Sequence, residues 1–124
     1  MFNVYDLCTD WLASYRCGSR SSDEVSEHLA HFKGEDKIKY CHSDAAPNIV
    51  KGVQVTGGHN VCCRTSTPGN PSQNGLIESK NKLTMRRVRS ALNQAGLPPC
   101  FWPYAADYVC MIHNIKPGDD GERP

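Results

Sequence analysis

The sequence predicts an α/β domain, because short strand-like segments alternate along it with segments of helical periodicity. Two strand-like stretches, residues 1–7 and 11–17, come first and are separated by a short turn. Further on, apolar residues recur every three or four positions and predict amphipathic helices between shorter strands. At 124 residues, the chain is large enough for a single domain with a modest core.

The first predicted helix begins at Ser21 or Ser22, where a hydroxyl cap is followed by two acidic residues. Its apolar stripe is Val25, Leu29 and Phe32, and Gly34 ends it. His28 and His31 lie three residues apart on this helix. We interpret both as surface histidines rather than as metal ligands.

A strand with period-two alternation is predicted over residues 36–42, and Asp44 follows it. An acid at the carboxyl end of a sheet strand lies where active sites collect in α/β folds. The alternative is that Asp44 forms an Asx turn or caps a short helix over residues 48–52. The sequence leaves both interpretations open.

The stretch from Thr65 to Gly75 is rich in turn formers, and a short strand over residues 60–64 leads into it. Proline removes backbone donors and glycine opens the positive-φ region, so neither a helix nor a central strand is expected there. We therefore predict a mobile loop that leads into the next helix.

That next helix is the longest predicted element, and Gly96 ends it. The net charge is only +1, yet five basic residues fall between Lys80 and Arg89. Local clustering of this kind, rather than net charge, is typical of a nucleic-acid-binding surface. The residues predicted to contact DNA phosphates are Lys80, Lys82, Arg86 and Arg89.

Glu78 lies in the first turn of this helix, and two interpretations compete for it. An acid there favours the helix dipole and pairs with Lys82 four residues later. Alternatively, Glu78 is a metal-binding carboxylate beside a loop and a basic face.

A last helix is predicted over residues 101–114, and residues 116–124 form a polar tail that we expect to be disordered. The domain is thus predicted to span residues 1–115. No apolar run approaches membrane-spanning length, and the N-terminus does not begin a signal peptide. We therefore expect no membrane partner.

The cysteines number seven, which is odd, so we expect reduced thiols in an intracellular protein, most of them buried. Loose zinc-like spacing occurs at His59-x-x-Cys62, with Cys41-His42 earlier in the chain. No paired CxxC accompanies it, which argues against zinc at those positions.

The order Pro71, Asn74-Gly75, Glu78 and Lys80-Asn81 resembles the segment around the last catalytic acid of retrotransposon integrases of the Ty1/copia type. Asp44 matches the second catalytic acid of that family, although Ala45-Ala46 replaces its Asn-Gly. Gly96-Leu97-Pro98, Phe101-Trp102 and the aromatic helix ending in Asn114 resemble the family as well. The resemblance runs in order from about residue 4 to residue 115.

This resemblance implies an RNase H-like fold, in which helices flank a mixed β-sheet of five strands. It implies strand transfer on DNA by phosphoryl transfer, with Mg²⁺ or Mn²⁺ held by three acids. Asp44 and Glu78 are the catalytic and metal-binding residues that carry over. The family also implies DNA as a partner, a homo-oligomer and a nuclear location.

The family's first acid would fall before Met1, so the resemblance predicts an N-terminally truncated domain that lacks its first strand. We interpret Asp6 and Asp10 as turn formers and do not assign the catalytic role to either. The expected function is an integrase-like domain that is incomplete or inactive as this chain. The alternatives are a non-catalytic nucleic-acid-binding or interaction module of the same fold, and a structural protein whose acids are caps.

Overall fold

A computed structural model describes residues 1–19, 21–43, 46–58, 61–65 and 75–116 of the chain. Four strands, four α-helices and one 3₁₀ turn are described. In chain order they are β1 (Phe2–Tyr5), β2 (Leu12–Tyr15), α1 (Ser22–Lys33), β3 (Tyr40–Ser43), α2 (Pro47–Gly57), β4 (Cys62–Thr65), α3 (Gly75–Ala95), the 3₁₀ turn (Pro99–Phe101) and α4 (Trp102–Ile115). The chain divides into two compact units, one of Met1–Arg16 with Ile77–Pro124 and the other of Cys17–Leu76.

The first unit contains a β-hairpin made of β1 and β2, which confirms the two strands predicted near the N-terminus. They pair antiparallel, from Phe2 opposite Tyr15 to Tyr5 opposite Leu12. The Asp6 amide donates to the Trp11 carbonyl over 2.8 Å and closes the turn. Asp10 adopts a φ of 60°, a left-handed conformation that Asp tolerates better than most residues.

The helices α3 and α4 belong to the same unit and share an apolar core. Val88 and Leu92 of α3 pack with Ala106 and Val109 of α4, and all four side chains are buried. Gly96 ends α3 as the sequence predicts, with a φ of 64° that an L side chain rarely adopts. The amide that follows it, at Leu97, donates back to the Leu92 carbonyl over 3.0 Å.

The second unit is built on the contact between α1 and α2. Val25 and Leu29 of α1 are buried, as is Val53 of α2. A Cβ atom placed on Gly52 would lie 2.6 Å from Cγ1 of Val25, so the absence of a side chain there lets the helices approach closely. Beside this contact, Oγ1 of Thr56 donates to the Ser26 carbonyl over 3.1 Å.

The strands β3 and β4 also lie in the second unit, and they pair in parallel. The register runs from Tyr40 opposite Cys62 to Ser43 opposite Thr65, so both strands reach their carboxyl ends at the same edge. The strand predicted over residues 36–42 is observed over Tyr40–Ser43, so it is shorter and ends one residue later than expected. Parallel pairing requires a crossover, and α2 supplies it, which explains why this helix is longer than the predicted residues 48–52.

Several expectations fall outside the described residues. They are the mobile loop, of which only the end residues 65 and 75 are described, and the polar tail from residue 117 onward. Within the part of the chain that the structure describes, no helix combines the length and the hydropathy needed to cross a membrane.

Candidate nucleic-acid interface

Glu78 lies in the first turn of α3, as the sequence predicts. Its side chain is 54% exposed, and one carboxylate oxygen lies 3.9 Å from the Lys82 ammonium. An exposed i,i+4 pair at this distance contributes a few tenths of a kcal/mol at most. The pairing with Lys82 thus exists, but it is weak and leaves the Glu78 carboxylate accessible.

Three predicted DNA-binding residues share the exposed face of α3 with Glu78. Lys82, Arg86 and Arg89 follow it at four-, four- and three-residue steps, and all three are exposed. Side chains at these steps align along one side of a helix. The result is a basic stripe, defined as Lys82, Arg86 and Arg89, with a single carboxylate at its N-terminal end.

Lys80 lies apart from this basic stripe. Its ammonium contacts the Asp10 carboxylate at 2.9 Å and lies 4.2 Å from the centre of the Tyr5 ring. The Lys80 side chain is only 21% exposed. The helical period explains the difference, because Lys80 aligns with Thr84 and Val88, which are both buried.

The Asp10 carboxylate is the centre of a polar cluster that joins β1, the hairpin turn, α3 and α4. The Tyr5 hydroxyl donates to it, and Nε2 of His113 lies 3.4 Å from Oδ2 and 2.9 Å from the Asp10 carbonyl oxygen. These hydrogen bonds, first from Tyr5 and then from Lys80, hold the pKa of Asp10 below its usual value. We call Tyr5, Asp10, Lys80 and His113 the Asp10 cluster.

The pKa values of two partners of Asp10, Tyr5 and Lys80, are shifted as well. Burial, followed by the hydrogen bond to Asp10, raises the pKa of Tyr5. Burial alone would lower the pKa of Lys80, but its bonds to Tyr5 and Asp10 outweigh that effect and raise it. All three pKa shifts favour a charged Lys80 paired with a charged Asp10. This ion pair has a structural role, and it leaves the Lys80 ammonium little freedom to reach a DNA phosphate.

Asp44 lies outside the described residues, but its neighbours in sequence are described. Ser43 is the last residue of β3, so Asp44 directly follows the carboxyl end of a parallel strand. Ala46 occupies the N-cap position of α2. The Asx-turn, capping and metal interpretations of Asp44 all stay open.

Asp6 is a turn former, as its sequence context predicts. Its carboxylate accepts hydrogen bonds from the Cys8 amide and the Thr9 hydroxyl, both over 2.9 Å. This is the Asx geometry that Asp adopts at the start of a turn. Asp10 differs from Asp6, because its side chain contacts Lys80 of α3 and His113 of α4 and not only residues near the turn.

Two features of this unit were not predicted from the sequence. Asn81 of α3 accepts a 2.6 Å hydrogen bond from the Asn3 side chain of β1. The Asp10 cluster is the other, since its members are spread across the sequence. Lys80 and Thr84 lie one and two turns before buried Val88 on the same side of α3, and this spacing was a local signal that the side is buried.

The outer face of α4 carries an exposed row of large apolar side chains at alternating steps of three and four residues. These side chains are 41–61% exposed, and they are Phe101, Tyr104, Tyr108, Met111 and Ile115. Beside this α4 row, between α3 and α4, lies a groove of about 410 Å³ whose floor includes the small residues Ala91 and Ala95. An exposed apolar row beside such a groove is typical of an interaction site.

Comparison of the sequence with known proteins identifies relatives among retrotransposon polyproteins. A 64-residue stretch, 52% of the chain, is 36% identical to the Retrovirus-related Pol polyprotein from transposon TNT 1-94 of Nicotiana tabacum. The corresponding polyproteins from transposons RE2 and RE1 of Arabidopsis thaliana are each 26% identical, over 86% and 79% of the chain. No protein-family model matches the sequence.

The chain spans 5%, 8% and 7% of the length of these three polyproteins. Its fold is similar to that of a chain in the cryoEM structure of the simian T-cell lymphotropic virus intasome in complex with PP2A regulatory subunit B56 gamma. The TM-score is 0.71 at 14% identity, over 98% of this chain and 44% of that one.

These similarities confirm the predicted α/β fold class, and the described residues form helices together with one antiparallel and one parallel strand pair. They also show that the relatives of this chain are retrotransposon Pol polyproteins. The more specific assignment to the Ty1/copia type of integrase core rests on the sequence motif alone.

Proposed function

We propose that this chain is an integrase-like domain of the Ty1/copia type that binds DNA along the basic stripe of α3. The observation that carries the proposal is the alignment of Glu78 with Lys82, Arg86 and Arg89 on one exposed helix face. Cations spaced along a helix match the regular spacing of phosphates, and they bind DNA without reading its sequence.

Glu78 and Asp44 are proposed to supply the carboxylate ligands for Mg²⁺ or Mn²⁺. Hard divalent ions prefer carboxylate oxygens, and Glu78 fits this preference because it is exposed and only weakly paired. Such ions activate an attacking oxygen and stabilise a leaving one in phosphoryl transfer. The residues of this chain would bind the ion through Glu78 and hold the DNA backbone against the basic stripe.

A DNA-binding titration against salt concentration tests the proposal. We expect affinity to fall steeply with salt and to vary little with sequence, and Lys82→Ala/Arg86→Ala should reduce the salt slope by about two. The matched control is Lys37→Ala/Lys39→Ala, which removes two exposed lysines preceding β3. An equal change in both double variants, or no change in either, would show that the basic stripe is only a solvated helix surface.

A single Lys80→Ala variant separates the two sides of α3. Because Lys80 is committed to Asp10, its loss should lower stability and leave the salt slope of DNA binding within error of the wild type. A slope reduced by about one would place Lys80 in the DNA surface, as the sequence alone predicts.

The interaction-module alternative is favoured by the α4 row, for which we propose a second copy of this chain as the occupant. Steps of three and four residues from Phe101 to Ile115 match the seam along which two like helices pack. Five large side chains, each about half exposed, offer roughly 500 Å² of surface before the groove is counted. A standard interface buries about 800 Å² on each partner.

The charge of α4 also favours self-association. Asp107 is the one Asp, Glu, Lys or Arg residue in the helix, and its carboxylate pairs with Arg16 at 3.3 Å. The Arg16 guanidinium lies 4.4 Å from the centre of the Tyr104 ring, so this face carries one cation, which Asp107 balances. Two copies can therefore face one another with little like-charge repulsion.

Sedimentation analysis tests the self-association. We expect a concentration-dependent dimer that Tyr108→Glu dissociates, because the substitution places a charge in the middle of the α4 row. Tyr40→Glu, at an exposed position of β3, is the control and should leave the dimer intact. A wild-type monomer at all concentrations, or a dimer that survives Tyr108→Glu, would contradict this surface.

A further inference from the structure

A second cluster of reactive side chains lies in the other unit, away from the residues discussed so far. Cys17, Glu24 and His28 each offer one ligand atom, and the Sγ, the carboxylate oxygen and the imidazole nitrogen lie within 4.8 Å of one another. All three residues are half-buried, so they are sheltered but reachable.

The three donors differ in kind, and together they define the ion that would suit them. Thiolate and imidazole are ligands of zinc, whereas Mg²⁺ and Mn²⁺ prefer oxygen alone. In a tetrahedral site with bonds of about 2.0–2.3 Å, neighbouring ligand atoms lie roughly 3.4–3.8 Å apart. The three atoms, which lie within 4.8 Å of one another, would have to approach by up to about 1 Å to bind a zinc ion together.

Hydrogen bonds already orient the Glu24 carboxylate. It accepts from the Gly18 amide over 2.7 Å, from the Ser19 amide over 2.9 Å and from the Ser19 hydroxyl over 2.8 Å. These bonds hold the pKa of Glu24 below its usual value, with the Gly18 amide as the largest cause. Carboxylates that bind zinc are commonly fixed by such outer hydrogen bonds. The two Ser19 bonds fall on Oε2, whereas Oε1 accepts the Gly18 amide and retains a lone pair for a metal.

The fold supplies the remaining two donors. His28 lies four residues after Glu24 on α1, so both side chains are on the same helix face. Cys17 directly precedes the turn whose amides bind Glu24, which brings its sulfur to the same place. The sequence led us to interpret His28 as a surface histidine, although the Glu24 carboxylate lies four residues earlier on the same helix.

Helix capping accounts for part of this arrangement. Ser21 is the N-cap of α1 and its hydroxyl accepts from the Glu24 amide, whereas the Ser21 amide donates to the Ser19 hydroxyl. An N-cap of this kind needs neither a cysteine nor a histidine. The convergence of Cys17 and His28 on the same carboxylate is the part that capping leaves unexplained.

We propose that Cys17, Glu24 and His28 form a zinc-binding site with a water molecule as the fourth ligand. Three protein ligands and one exchangeable position are the usual composition of an open zinc site. Bound metal would fasten the turn at residues 17–19 to the first two turns of α1. The proposal does not depend on DNA binding or on the acids Asp44 and Glu78.

Cobalt substitution tests this site in the intact 124-residue chain. Co²⁺ bound to a thiolate gives a charge-transfer absorption that oxygen-only sites lack, and Zn²⁺ should abolish it by displacement. We expect one equivalent of Co²⁺ with this absorption. Cys17→Ser should remove the absorption, and His28→Gln should weaken Co²⁺ binding at least about tenfold.

Two matched controls distinguish this site from binding to other side chains. Cys8→Ser removes an exposed cysteine, and Glu27→Gln removes an exposed carboxylate from the same helix. Both should bind Co²⁺ as the wild type does, and far-ultraviolet circular dichroism should show that all four variants are folded. Absence of the charge-transfer absorption in the wild type, or its survival in folded Cys17→Ser, would overturn the proposal.

Discussion

Asn114 of α4 pairs with both backbone polar groups of Leu12 in β2. Its Oδ1 accepts from the Leu12 amide and its Nδ2 donates to the Leu12 carbonyl, each over 2.9 Å. Both residues are buried. Asn114 thereby gives the outward-facing groups of β2 the partners that a further strand would otherwise provide, and it joins the hairpin to the last helix.

Replacement of Asn114 should therefore destabilise the first unit strongly. Asn114→Ala leaves a buried amide and a buried carbonyl without partners, and we expect a loss of about 2–4 kcal/mol in the free energy of unfolding. Urea denaturation monitored by circular dichroism measures it. Asn93→Ala, at an exposed position of α3, is the control and should change stability by less than about 0.5 kcal/mol.

The Asp10 cluster predicts a specific dependence of stability on acid. The pKa of Asp10 is lowered in the folded chain, so its contribution is present above the unfolded value, near pH 4, and is lost as pH falls through the folded value. Because the Asp10 side chain is 49% exposed, the contribution should stay below about 1 kcal/mol.

The Asp10→Asn variant tests this dependence, and asparagine tolerates the left-handed backbone at this position. The variant should be less stable than the wild type at pH 7, and the difference should shrink as the pH falls below about 4. Thermal unfolding measured from pH 2 to pH 7 provides the comparison. A difference that does not change with pH would assign the effect to packing rather than to the carboxylate charge.

The seven cysteines should fall into distinct reactivity classes. Burial raises the pKa of Cys110 to about 11, with the nearby Asp107 charge adding to it, and burial with Cys63 nearby does the same for Cys41. Cys8, Cys62 and Cys100 are exposed, which corrects the expectation that most cysteines are buried. All seven lie in the described part of the chain, and none forms a disulfide.

Only the thiolate reacts with alkylating reagents or aromatic disulfides, so the exposed cysteines should react fastest at pH 8. We expect Cys41 and Cys110 to react only after denaturation. Mass spectrometry of the chain after timed iodoacetamide treatment identifies the modified positions. Rapid modification of Cys110 in the folded chain would show that the α3–α4 core opens readily.

The sequence predicted the elements of this fold better than the side-chain clusters within it. Gly34 and Gly96 end their helices as expected, because a positive φ after a helix is a local property that glycine signals by itself. The pairing of Lys80 with Asp10 spans 70 residues, and no local pattern encodes it. Helical spacing aligns Lys80 with the buried side of α3, but it does not identify the distant carboxylate that pairs with it.

In the candidate site, too, local features were predicted from the sequence and long-range ones were not. Glu78 was correctly placed in the first turn of α3, because a turn-rich stretch followed by helical periodicity marks the start of a helix. The length of α2 was underestimated, since parallel pairing of β3 and β4 determines how far the crossover must run, and that pairing is a tertiary property. Asp44 comes directly after Ser43, the last residue of β3, in the sequence, and its proposed role stays a prediction.

The final prediction concerns the proposed chemistry of Asp44 and Glu78. Phosphoryl transfer depends on accurate placement of the metal, and a misplacement of about 1 Å costs around a hundredfold in rate. The carboxylate of Asp6, the residue after β1, already accepts hydrogen bonds from the Cys8 amide and the Thr9 hydroxyl. We therefore expect the 124-residue chain to bind Mn²⁺ weakly and to show no strand transfer on a labelled DNA end.

Titration of Mn²⁺ followed by electron paramagnetic resonance tests the ligands, in a Cys17→Ser background that removes the proposed zinc site. Asp44→Asn and Glu78→Gln should each weaken Mn²⁺ binding about tenfold or more, whereas Glu27→Gln should not. Equal binding in all variants would remove both acids from the proposal.

If the wild-type chain instead joins DNA ends and either substitution abolishes that activity, a third acid must act with them. Asp6→Asn would then be the next variant to assay, because Asp10 is committed to Lys80 whereas the hydrogen bonds of Asp6 are local and exposed.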